Sequence, residues 1–204
     1  APSANRFGRV SPTSAQHVQQ EFADLVAHGM PVLEGGDSEV GIESTIVDLS
    51  SIDHGGAVAL LRPGAISAQQ VSALLKVPVV GQQTSSPRVS GALKAHYAPS
   101  TPLALCAPDT LVSRVSEWLS SHEGRLAVMT RQGLGVVPER VVQVVMPGDA
   151  GAFGHELYAR LRQLDCLGVA GALIEQVPDD AAWAGVRDRL TRAAAAFEGD
   201  RAVH

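Results

Sequence analysis

Four short stretches carry residue types that can grip an anion. Ser3 and Asn5 stand two apart and are followed by Arg6, Gly8, Arg9 and Ser11. Such a run can aim hydroxyls, an amide and backbone N–H groups at one phosphate, because small residues let the backbone come close and a following helix offers its positive end. Taken alone, it reads more readily as a Ser/Gly/Pro-rich loop that starts a helix. Arg62-Pro63-Gly64 ends an apolar run with a fixed cation. A guanidinium there can clamp phosphate oxygens, or sit beside a carboxylate such as Glu43 or Asp48. Gly41-Ile42-Glu43-Ser44-Thr45 puts polar side chains at the mouth of a strand, where α/β folds place ligands, although hydroxyls also suit plain β structure. Finally, His96-Tyr97-Ala98-Pro99 follows Ser90-Gly91 as a rigid aromatic element in a flexible stretch. It can cover a pocket, or merely anchor that stretch by packing Tyr97.

The elements that must position these residues follow from periodicity. Thr13 as N-cap with Gln16 as capping-box partner opens a helix whose apolar face is Val18, Phe22 and Leu25, ending near Gly29. Strands are expected over 30–33, 44–49 and 57–61, and a short helix from 66 capped by Ser67. Residues 81–102 lose all periodicity and read as a linker. Beyond it, strands at 103–106, 126–129, 141–146 and 169–175 alternate with helices at 108–121, 153–164 and 181–197. That alternation means a parallel α/β sheet.

Composition narrows the function. The 204 residues carry 45% hydrophobic and 18% charged side chains and a net charge of −5. This is an ordinary globular composition, and its sign disfavours indiscriminate nucleic-acid or membrane binding. An RNA contact would need a local patch such as Arg6, Arg9, Arg88 and Lys94, residues that more often solvate a surface. Cys106 and Cys166 lie far from each other without a CxxC, and read as buried small hydrophobes in a reducing compartment. No metal site is expected, because His17, His28, His54, His122, His155 and His204 have no ligand spacing. The sequence holds no P-loop, GxGxxG or G-x-S-x-G motif, and no apolar run near the ~20 residues of a membrane span. A cytoplasmic location is the expectation.

Taken in order, Ala1-Pro2-Ser3-Ala4-Asn5, Ser11-Pro12-Thr13, Glu34-Gly35-Gly36, residues 41–48, Leu61-Arg62-Pro63-Gly64 and His96-Tyr97-Ala98-Pro99 resemble the long form of threonylcarbamoyl-AMP synthase, the YrdC-like family with an extra C-terminal domain. Residues 158–165 and 189–194 resemble that extra domain. The resemblance implies an α/β fold: the C-terminal part of a YrdC-like domain over 1–80, a linker or lid over 81–102, and a small Rossmann-like parallel domain over 103–204. It implies a nucleotidyltransferase that joins L-threonine, bicarbonate and ATP, with Mg²⁺, into an adenylate used for threonylcarbamoyl modification of tRNA. Ser3, Asn5, Ser11, Arg62, Val89 and Ser90 would bind ATP, Ala1 and Ser44 would face the threonine, and His96 with Tyr97 would form the lid. tRNA or tRNA-modification proteins would follow as partners, with no membrane.

One departure matters. The family's Lys-x-Arg half-signature precedes the Ser-x-Asn half, and no Lys-x-Arg occurs in these 204 residues. The expectation is therefore the C-terminal portion of a longer protein, impaired or inactive alone. Two other readings stand beside the enzyme: a non-catalytic nucleotide- or RNA-binding module of the same fold, and a carbamoyl-transfer domain of the kind related to hydrogenase maturation. The His-Tyr-Ala-Pro element and the C-terminal domain favour the synthase over the last.

Overall fold

The computed structural model describes residues 4–82, 86–87, 89–91, 93–199 and 203. Ala1, Ser3, Arg88 and His204, among the residues singled out above, lie outside them. The chain is α/β, with a three-stranded and a four-stranded sheet.

The first helix is capped one residue later than expected. Ser14, not Thr13, is the N-cap of α1 (Ala15–Glu21) and accepts from the His17 N–H at 3.2 Å. His17, not Gln16, closes the turn by accepting from the Thr13 N–H. The helix is not continuous to residue 29: Phe22 leaves helical geometry beneath the Arg6 guanidinium, and α2 (Ala23–Ala27) follows. Residues 30–33 form no strand, since no described strand runs beside them and Leu33 is almost fully exposed. An extended run without a ladder partner leaves its N–H and C=O groups to water.

β1 (Ile46–Asp48) pairs antiparallel with β2 (Val58–Arg62), which pairs in parallel with β3 (Val79–Gly81), a strand the sequence did not announce. Between β2 and β3, α3 (Ala68–Leu75) starts at Ser67, the expected cap, and Gln70 completes a capping box with it.

The second sheet comprises β4 (Leu103–Cys106), β5 (Leu126–Thr130), β6 (Val141–Val145) and β7 (Gly171–Glu175). Its order is β4-β7-β5-β6 and every pairing is parallel. The interleaved helices are α4 (Leu111–Ser121), α5 (Ala150–Leu164) and α6 (Ala184–Ala194). Strand alternation splits the core in two. Leu126, Val128 and Leu173 pack with Val115 and Trp118 of α4, while Ala127, Met129 and Ile174 pack with Leu157, Leu161 and Leu190 of α5 and α6. Val10 and Tyr97 belong to that second cluster. The small sheet's loops are thus pinned to the large sheet's core. Cys106 is buried, but Cys166 is exposed, because it falls in the turn after α5 and beyond that helix's apolar stripe. Among the described residues, no helix is long and apolar enough to cross a membrane.

Candidate functional site

β2 delivers Arg62 to the site. Its side chain is nearly buried and folded back on main chain: Nε and Nη2 donate to the Ser44 carbonyl at 3.1 and 3.0 Å, Nη2 also to the Ser44 hydroxyl, and Nη1 to the Ser90 carbonyl at 3.0 Å. Neither carboxylate weighed from sequence meets it; among the described residues Arg62 has no ion-pair partner. A buried cation held only by dipoles leaves its charge uncompensated, which is costly unless an anion arrives.

Glu43 is engaged elsewhere. One carboxylate oxygen accepts from Ser11 Oγ at 2.7 Å, and the other from Tyr158 Oη at 2.7 Å and Arg189 Nε at 2.9 Å. Burial alone would push this carboxyl up, but the hydrogen bonds from Ser11 and Tyr158 and the Arg189 charge outweigh it and hold it below its ordinary value. Burial and the neighbouring Glu43 charge push the Tyr158 phenol far up, so it stays a neutral donor. Arg189 is wholly buried, and also donates to the carbonyls of Pro63 (2.6 Å) and Glu43 (3.1 Å) and to Asp188 (2.9 Å).

The polypeptide comes this close because glycines permit it. A Cβ at Gly64 would run into the Thr45 N–H and stand 2.7 Å from the Glu43 carbonyl; one at Gly185 would stand 2.8 Å from the Gly64 carbonyl. The residues 41–45 are thereby clamped between the turn after β2 and helix α6.

Around this frame lies a cavity of about 410 Å³. It brings together Asn5, Ser11, Arg62, Val89, Ser90, His96 and Tyr97, seven of the residues singled out from sequence, with Glu43 beside them. Ser44 does not line it; its contribution is to hold Arg62. A second cavity, about 390 Å³, lies between residues 4–18, 32–43 and Tyr158, and among the described residues shares only Ser11 and Glu43 with the first. The Ser11–Glu43 hydrogen bond therefore divides two spaces.

His96 and Tyr97 form one wall. The Tyr97 ring stacks on Tyr158 (centroids 5.6 Å apart) with the Arg189 guanidinium 5.4 Å over it. Tyr97 adopts a left-handed backbone, φ 63°, an unfavourable state for a buried aromatic that only surrounding packing can enforce. Tyr97 Oη and His96 Nδ1 are buried without a hydrogen-bond partner among the described residues. Burial, aided by the Arg192, Arg189 and Arg62 charges and opposed by Glu43, holds the His96 imidazole below its ordinary value, hence neutral.

Tyr158 and Arg189 had no role in the sequence reading. A signal existed for the second: Arg189 interrupts the apolar stripe of Val186, Leu190 and Ala193 on α6. Of the basic residues weighed for RNA, Arg6 pairs with Glu21 and Asp24, Arg9 donates to the Pro99 carbonyl and Ser100, and Lys94 pairs with Glu198, while Arg88 lies outside the described residues.

Residues 66–195 match the family model of the threonylcarbamoyl-AMP synthase C-terminal domain, and residues 1–64 the model described as telomere recombination. The chain is 30% identical over 202 residues to the threonylcarbamoyl-AMP synthase of Bacillus subtilis, and 30% identical over 203 residues to that of Pyrococcus abyssi. Each alignment covers 95% of this chain and 56% of the relative. Among solved structures, P. abyssi Sua5 complexed with L-threonine is similar, with a TM-score of 0.75 and 25% identity over 95% of this chain and 57% of that one. The chain thus spans a little over half the length of the relatives it matches.

Proposed function

The chain belongs to the threonylcarbamoyl-AMP synthase family, and from this premise we propose that, in the full-length protein, it forms L-threonylcarbamoyl adenylate and pyrophosphate from L-threonine, bicarbonate and ATP. The observation that supports this best is Arg62: a nearly buried guanidinium, without an ion-pair partner among the described residues, at the wall of a cavity that also gathers Asn5, Ser11, Val89 and Ser90.

In this reaction the threonine amine and bicarbonate condense to a carbamate and water. A carbamate oxygen then attacks the α-phosphorus, and the bond to the β-phosphate oxygen breaks to release pyrophosphate. Such chemistry asks for positioning and charge neutralisation more than for a strong base. Arg62 supplies a fixed positive charge, Asn5 an amide, and the wall of His96 and Tyr97 covers the nucleotide and keeps water from the adenylate. A cytoplasmic site of action, with tRNA-modifying proteins consuming the adenylate, completes the proposal.

Mg²⁺ enters this reading with the nucleotide. Among the described residues no group of three or more His, Cys, Asp or Glu side chains is placed to hold a metal, and Glu43 is committed to three donors. The phosphates and water would carry the ion.

The test is pyrophosphate release dependent on both threonine and bicarbonate, measured for this chain beside its full-length form. Turnover that needs both co-substrates supports the synthase. ATP binding without pyrophosphate release would instead make it a nucleotide-binding module, and no binding by either form would overturn the reading.

A further inference from the structure

Ser11 has one hydroxyl proton, and it goes to Glu43. An ionised carboxylate accepts only, so while Glu43 is ionised Ser11 Oγ offers the cavity nothing but lone pairs. It can then receive a hydroxyl or N–H of a ligand, but cannot donate to a phosphate oxygen. Glu43 is kept in that role from the C-terminal domain, by Tyr158 on α5 and Arg189 on α6, which fill the lone pairs on its other oxygen. We propose that Tyr158 and Arg189 are positioning residues: through Glu43 they orient the Ser11 hydroxyl as an acceptor, so that the ribose hydroxyls, not the phosphates, of the nucleotide lie against Ser11, and the phosphates lie towards Arg62. The inference rests on the synthase reading given above.

The division of the two cavities gives this arrangement a reason. Among the described residues only Ser11 and Glu43 are common to both walls, so a displaced Ser11 would open one space into the other. Arrangements in which a second layer of hydrogen bonds fixes a binding group typically matter about as much as the group itself.

The charged and titratable groups facing Glu43 are Tyr158 on α5, Arg189 with its neighbour Asp188 on α6, and, across the cavity wall, His96 and Tyr97 with Arg62 beyond them. Tyr158→Phe removes a single donor from Glu43 and keeps the ring that stacks on Tyr97. With one stabilising hydrogen bond gone, Glu43 takes up its proton at higher pH.

The experiment compares full-length parent and Tyr158→Phe proteins in ATP affinity and in the pH dependence of threonine- and bicarbonate-dependent pyrophosphate release. We expect the variant to melt near the parent, to bind ATP roughly tenfold more weakly, and to show its acidic limb at higher pH. His96 is present in both proteins and cannot account for a difference between them. 2′-Deoxy- and 3′-deoxy-ATP add the second arm: the parent should lose affinity for one of them, and Ser11→Ala should bind that analogue and ATP alike. An unmoved acidic limb with unchanged ATP affinity, in an active parent, overturns the positioning role alone. Equal discrimination of the deoxy analogues by parent and Ser11→Ala overturns the assignment of the ribose. A parent that neither binds ATP nor turns it over fails the synthase reading, and this inference falls with it.

Discussion

Arg189 Nε stands 2.9 Å from Glu43 Oε2, although 146 residues of chain separate them. The arginine comes from a helix packed on the four-stranded parallel sheet and the carboxylate from the residues that precede the small sheet's first strand. No water reaches the guanidinium, whose remaining donors end on main-chain carbonyls and Asp188. A helix packed on the four-stranded sheet therefore reaches into the site and does not merely follow it in sequence.

Removing one member of this pair should cost far more than removing its charge in water. Glu43→Ala leaves Arg189 buried with half its compensation, and we expect a loss of roughly 3–5 kcal/mol in urea unfolding of this chain. Arg189→Met fills similar space without a charge, but strands Glu43 in a partly wet position, so its loss should be the smaller. Equal, small losses would show that the pair is screened.

Stability should fall in two steps as the solution is acidified. His96 is held below its ordinary 6.5, so the unfolded chain takes up a proton that the native protein refuses, and stability present above about pH 6.5 is lost as pH drops below it. Glu43 is held below its ordinary 4.5; its contribution is complete above that value and disappears as pH falls through the lower native one. Melting temperature against pH checks both: His96→Gln should shrink the first step, which His17, also held below its ordinary value by burial, shares, and Glu43→Gln should diminish the second.

Gly91 faces Tyr97 so closely that a Cβ would overlap the phenol oxygen, and its φ of +76° is strained for any other residue. Gly91→Ala should lower stability by ~1–3 kcal/mol and displace the Tyr97 ring. Gly8→Ala is the control, with φ +77° and open space, and should show the backbone cost alone. Thermal melting with near-ultraviolet circular dichroism separates the two.

Arg62→Lys keeps a cation but cannot bridge the Ser44 and Ser90 carbonyls at once. In the full-length protein we expect ATP affinity to drop about ten- to a hundredfold, by the loss of charge-assisted bonds. Calorimetry showing unchanged affinity would remove Arg62 from the nucleotide's surroundings.

The sequence made much of this legible, and the misses are instructive. Parallel strands buried on both faces, such as residues 126–130, announce themselves by unbroken apolar runs. Ser67 and Gln70 announce a helix start by chemistry that is purely local. β3 was missed because three residues carry too little periodicity, and only the neighbouring β2 makes them a strand. Likewise 30–33 has a strand's composition but no partner. The gathering of Asn5, Ser11, Arg62, Val89 and Ser90 followed from the family's motifs, whereas the Tyr158–Glu43–Arg189 cluster depends on distances that no local pattern encodes.

The contact of Gly64 with Gly185 has a consequence for divergence and for protein engineering. The Gly64 carbonyl would stand 2.8 Å from any Cβ at 185, whatever residue occupies 64, so position 185 cannot acquire a side chain without the turn after β2 giving way. A chimera that grafts another family member's C-terminal half onto this N-terminal one will accept the graft only where a glycine arrives at 185, whatever the remaining similarity of the donor.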